Sequence, residues 1–98
     1  MDILITNGSE FIISLKGRLD TNTSKELDKK VSELTFDSNL VIFDFKELDY
    51  ISSAGLREIL NIKKRLDSEG KKLEIHNIND VIKEVFSITG FINVLTIK

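Results

Sequence analysis

Ninety-eight residues, 41% apolar and 31% charged, suit a single domain spanning 1–98 with its own core, and exclude a disordered or collagen-like chain. The absence of cysteine excludes disulfides, thiol catalysis and cysteine metal sites, and a single histidine excludes His-pair zinc sites. Fourteen basic residues against sixteen acidic ones, net −2, leave no basic excess for direct nucleic-acid binding, and no apolar run approaches a membrane span.

Met1-Asp2-Ile3 lacks the basic start and apolar stretch of a signal peptide, so a cytoplasmic protein is expected. Ile3-Leu4-Ile5 and Phe11 to Leu15 flank Thr6-Asn7-Gly8-Ser9. Asn-Gly favours a tight hairpin turn with both central residues at positive φ, which predicts two antiparallel strands. Gly17 is expected to end the second strand. Thr23-Ser24-Lys25-Glu26 has the form of a capping box, and Leu27, Val31 and Leu34 follow as one apolar stripe. A helix from about Ser24 to Leu34 is predicted.

Leu40 to Phe45 is apolar except for Asp44, as in a strand buried on both faces. From Ser53 to about Ser68, Leu56, Ile59, Leu60 and Leu66 share a face, which predicts a second helix with Gly70 after it. Lys63, Lys64 and Arg65 read as its solvated side. Lys72 to His76 alternates polar and apolar, the pattern of a half-buried strand. Ile78, Val81, Ile82, Val85 and Phe86 repeat as an amphipathic helix closed by Thr89-Gly90, and Val94 to Ile97 forms a last strand.

The predicted fold is α/β: an N-terminal hairpin, then three right-handed βαβ units, giving a mostly parallel sheet of about five strands. Phe11, Ile13 and Leu15 oppose Ile12, Ser14 and Lys16, and Leu73 and Ile75 oppose Lys72, Glu74 and His76. One apolar and one mixed face per strand place the helices mainly on one side of the sheet.

Ligands and partners of open α/β sheets gather at the carboxyl ends of parallel strands. On this chain that edge is expected to gather Asp20, Asp44 and Asp49, the adjacent Ser52 and Ser53, and a helix start. Either serine serves as an N-cap, or one is a phosphorylation site, since the free N–H groups of a helix start tolerate a phosphate. Gly55, one turn in, suits a close approach by a partner or tight packing of the helix on the sheet. Ile51-Ser52-Ser53-Ala54-Gly55 is only half of a Gly-x-Ser-x-Gly nucleophile elbow. With His76 as the sole base and no glycine-rich oxyanion segment, catalysis is not expected. The carboxylates carry only a weak Mg²⁺ signal, no nucleotide-binding glycine pattern is present, and neither metal nor cofactor is expected.

In order and spacing, nearly the whole chain resembles the STAS domains, and among them the stand-alone bacterial anti-sigma-factor antagonists. Gly17-Arg18-Leu19-Asp20 resembles their Gly-x-Leu-Asp segment, and Leu48 to Leu56 their phospho-acceptor loop and helix start. Val81 to Leu95, with Phe86 and Thr89-Gly90-Phe91, resembles their last helix-turn-strand. The resemblance implies partner switching. The unphosphorylated antagonist binds an anti-sigma factor that is also a serine kinase, and so frees a sigma factor. Phosphorylation from ATP breaks that complex, and a serine phosphatase resets it.

The family pattern places the acceptor at Ser53, with Ser52, where other members carry aspartate, as second choice. Asp20 matches an aspartate at the family's partner-binding edge; Leu19, Ser52, Ser53, Gly55 and Leu56, with Asp49 as an acidic neighbour that has no firm family role, complete the expected partner-binding set. Many members continue into a further helix beyond the last strand. Either the sheet edge is barer here, inviting weak homodimerisation, or the partner contacts differ. The alternative is a STAS module in a signalling scaffold or in transporter regulation, with Ser53 merely capping its helix.

Overall fold

A computed structural model describes all residues, 1–98. The elements are β1 (Asp2–Asn7), β2 (Phe11–Leu19), α1 (Thr21–Ser32), β3 (Leu40–Ile51), α2 (Ser53–Ser68), β4 (Lys72–His76), α3 (Asp80–Thr89), a 3₁₀ turn (Phe91–Asn93) and β5 (Thr96–Ile97). The sheet order is β1-β2-β3-β4-β5, with β1 antiparallel to β2 and all other pairs parallel. The chain thus lays each strand beside the one before it. A steady progression in one direction, with crossovers of one hand, sets all three helices on the same face of the sheet.

That face is the apolar one. Phe11, Ile13, Leu15, Val41, Phe43, Phe45, Leu73 and Ile75 are buried there against Leu27, Val31, Leu56, Ile59, Ile62, Leu66, Ile82 and Phe86 from the helices. Phe45 meets Phe86 edge-on with centroids 6.4 Å apart, and Phe11 meets Phe36 at 4.9 Å. The opposite face carries Leu4, Ser14, Asp44 and His76 in one cross-strand row and is left open, with Leu4 66% exposed.

Several local expectations change. The hairpin forms, but Asn7 pairs with Phe11 and the loop is Gly8-Ser9-Glu10, with neither Asn7 nor Gly8 at positive φ. A two-residue turn at Asn7-Gly8 would have paired Leu4 with Phe11 and turned Ile3 and Ile5 away from the core. The apolar register overrides the turn preference. Gly17 does not end β2. It sits inside the strand at φ 105°, a conformation glycine adopts readily, opposite an irregular stretch of β3.

The first helix starts three residues earlier than the Thr23-Glu26 spacing suggests, because Asp20 rather than Thr23 is its cap. β3 is twice as long as its apolar run. It continues through two register shifts to Ile51, which leaves Asp44 in mid-strand. Ile78 precedes α3, and the last strand shrinks to two residues behind the 3₁₀ turn.

Arg65 is not a solvated residue. Its guanidinium donates to Val31 O and Leu34 O, both at 2.8 Å, and lies 4.7 Å from the Phe36 ring centroid. Val31 O also accepts from Leu34 N at 3.0 Å, so the guanidinium adds a second donor there and supplies one to Leu34 O just past the end of α1. Lys71 Nζ likewise donates to Phe36 O.

Candidate functional site

The ends of β2 and β3 and the starts of α1 and α2 meet at one edge of the sheet. Leu19 pairs with Ile51, and the ladder continues one step further, with Ser52 N donating to Leu19 O at 2.9 Å. The turn into α2 is therefore tied directly to the turn into α1. Leu19 (0% exposed) and Leu56 (2%) are core residues beneath this edge, so each supports the surface from below.

Asp20 caps α1. Its Oδ1 accepts from Asn22 N and Thr23 N, each at 3.0 Å, while Asp20 N donates to Thr23 Oγ1 at 2.8 Å. This is a reciprocal capping box with threonine in the place usually held by glutamate. The Thr23 N–H bond is the main reason the Asp20 carboxyl is held below its ordinary range. Partial desolvation opposes it, and bonds from the Thr23 side chain and Asn22 N–H, with the charge of Arg18, add to it.

Ser52 and Ser53 have different jobs. Ser52 is the N-cap of α2, and its Oγ accepts from Gly55 N at 3.1 Å. Ser53 is the first residue of the helix, is exposed, and its hydroxyl makes no hydrogen bond. Gly55 is buried because α2 presses onto the end of β2. A Cβ there would lie 2.7 Å from Leu19 O, 2.9 Å from Leu19 Cγ and 2.9 Å from Ile51 Cγ1. Of the two reasons for a glycine at this position, tight packing on the sheet is the one observed.

Asp49 owes its exposure to a bulge. Gly17 pairs with Leu48 and Arg18 with Tyr50, so Asp49 is the extra residue on β3. Leu48 and Ile51 can then both point inward while Asp49 and Tyr50 both face solvent. Arg18 stacks on Tyr50, its guanidinium carbon 4.2 Å from the ring centroid. The edge is therefore of mixed charge, with Arg18 beside Asp20.

Asp44 does not join this edge. On the open face its Oδ1 accepts from Lys46 N and Asn77 Nδ2, both at 3.0 Å, and it holds the following backbone and the β4–α3 loop. His76 bonds Glu74 Oε1 at 2.8 Å on that same face, and no hydrogen bond links it to Ser53. Two residues escaped the sequence reading. Arg57, four residues beyond Ser53 and so on the same side of α2, is exposed and forms no ion pair. Glu58, its neighbour, is one of only two buried polar residues. The i,i+4 spacing could have disclosed Arg57; nothing in the local pattern marks Glu58 as buried.

Comparison with known proteins identifies the family and the fold. The chain is 30% identical over 87 residues to BtrV of Bordetella bronchiseptica, named as a candidate anti-sigma factor antagonist, covering 88% of this chain and 75% of that one. It is 28% identical over 86 residues to the anti-sigma-B factor antagonist of Staphylococcus aureus, covering 87% and 80%. The anti-sigma factor antagonist SpoIIAA shares the fold in two solved states. The unphosphorylated form gives a TM-score of 0.73 at 18% identity, covering 99% of this chain and 86% of that one. The phosphorylated Bacillus form gives 0.72 at 19% identity, covering 99% and 89%. The STAS domain family model matches residues 2–98, and the chain belongs to that family.

Proposed function

We propose that this protein is an anti-sigma factor antagonist that works by binding rather than by catalysis. In this reading the unphosphorylated edge formed by Asp20, Asp49, Ser52, Ser53 and Gly55, on its Leu19 and Leu56 base, binds an anti-sigma factor that is also a serine kinase. Phosphorylation of Ser53 then breaks the complex, and a serine phosphatase restores it. The observation that carries the reading is the division between the two serines: Ser52 Oγ is occupied by the cap, and the Ser53 hydroxyl is exposed and free.

A phosphate on Ser53 adds about −1.5 to −2 charges near neutral pH at a helix start that tolerates them. The fold needs no rearrangement to accept it. A partner that buries Ser53 would have to desolvate that charge, and every 1.4 kcal/mol of penalty lowers affinity about tenfold. The relatives named as anti-sigma factor antagonists support the partner class.

The test is site-mapped mass spectrometry on protein from its native cells, combined with pull-down by Ser53→Ala and Ser53→Asp. Condition-dependent phosphate on Ser53, binding by Ser53→Ala and weakened binding by Ser53→Asp are expected. Phosphate on Ser52 alone would move the acceptor by one residue. Unmodified serines in every condition, with equal binding by both variants, would favour the scaffold or transporter-regulating role.

A further inference from the structure

We propose that Glu58 and Asp28 share one proton across the seam between α1 and α2, forming a clasp between the two helices whose N-termini build the candidate site. Glu58 is 8% exposed, and its Oε2 has no hydrogen-bond donor. It lines a cleft of about 360 Å³ together with Asp28, Val31, Ser32, Asn61, Ile62 and Arg65.

No charge in that cleft is free to neutralise the two carboxyl groups. Arg65, the one cation lining it, is committed to Val31 O, Leu34 O and the Glu69 carboxylate. Lys25, Glu26, Lys29 and Lys30 of α1 are exposed and do not line the cleft. The sheet residues facing α2, among them Phe43, Phe45 and Ile75, are apolar. A buried carboxyl beside a second carboxylate, without a cation, is most stable when one of the two is protonated and donates to the other.

The energetics run the same way. Burial, then the charge of Asp28 and a hydrogen bond with it, push the Glu58 carboxyl up to about 7 from its ordinary 4.5. The folded state therefore holds a proton that the unfolded chain releases. The resulting stabilisation is complete below about pH 4.5 and is lost as pH rises through about 7.

The test is a carboxyl-detected NMR titration of Glu58 in the intact chain, with thermal unfolding of the wild type, Glu58→Gln and Asp28→Asn between about pH 5 and pH 8. A Glu58 midpoint near neutrality is expected, with a wild-type Tm that falls across the interval. In Glu58→Gln the amide donates to Asp28 at every pH, so the slope should be smaller than in the wild type. Asp28→Asn should lower the Glu58 midpoint. A midpoint in the ordinary carboxylate range, or an equal slope in wild type and Glu58→Gln, overturns the proposal. So would millimolar magnesium chloride that raises the wild-type Tm at the alkaline end and leaves Glu58→Gln unmoved, which would assign the cleft to a metal. None of these readouts needs a partner, so their failure is separate from that of the proposed function.

Discussion

At the start of α1 the cap is a carboxylate, and it is closed: Asp20 accepts from two backbone N–H groups and receives Thr23 in return. At the start of α2, on the same edge, the cap is a hydroxyl that accepts from Gly55 N alone, and the next residue is an unbonded serine. Both helices follow strands that pair with each other, and Leu19 O ties the two turns together. The contrast separates a helix start whose polar groups satisfy one another from one that keeps room for an incoming group. Rigidity comes from the first, and from Gly55 pressed on Leu19; chemistry is left to the second.

The largest effect expected from disturbing this contrast is at Gly55. Alanine there gains helix propensity but drives a Cβ into Leu19 O, a backbone atom that cannot swing away. A net loss of about 1–3 kcal/mol in denaturant unfolding is expected, as for other overpacked sites. Ser52→Ala removes the α2 cap and should lose about 1 kcal/mol in the same measurement. Asp20→Asn keeps an acceptor at the α1 cap and removes only its charge. Because the Asp20 carboxyl is held below its ordinary 3.8, its stabilisation is present above that value and lost as pH falls through the lowered one. The variant should therefore have a lower Tm than the wild type near neutrality, with the gap closing as pH falls and Asp20 is protonated. Ser53→Ala should move stability by less than about 0.5 kcal/mol while abolishing phosphate incorporation. A Ser53→Ala loss as large as that of Ser52→Ala would erase the distinction between the two serines.

How far these features could be read from residues alone follows from how local their causes are. The second helix was bounded correctly at Ser53 and Ser68 because its stripe, its cap and the following glycine all agree. At the first helix two caps competed. Glutamate is the familiar reciprocal partner, so Thr23-Glu26 outweighed Asp20-Thr23, although the end of β2 fixes where the chain can turn. The full reach of β3 is not legible because Lys46, Glu47 and Asp49 interrupt its apolar run, and only pairing with β2, through two register shifts, keeps it extended. A strand taken to end at Phe45 puts Asp44 at an edge it does not occupy. Glu58 was beyond reach for a different reason: its environment is set by Asp28 on another helix, thirty residues away in the chain.

The order in which the strands lie has a kinetic consequence. Each parallel strand pairs with its predecessor across a crossover of about 20 residues, so assembly requires three loop closures of nearly equal size and no long one. Loop-closure entropy rises only slowly with length, and no single step dominates. The sheet can therefore grow from the hairpin outward, one strand and one helix at a time. The Leu19–Ser52 tie can thus form before β4 and α3 join the sheet.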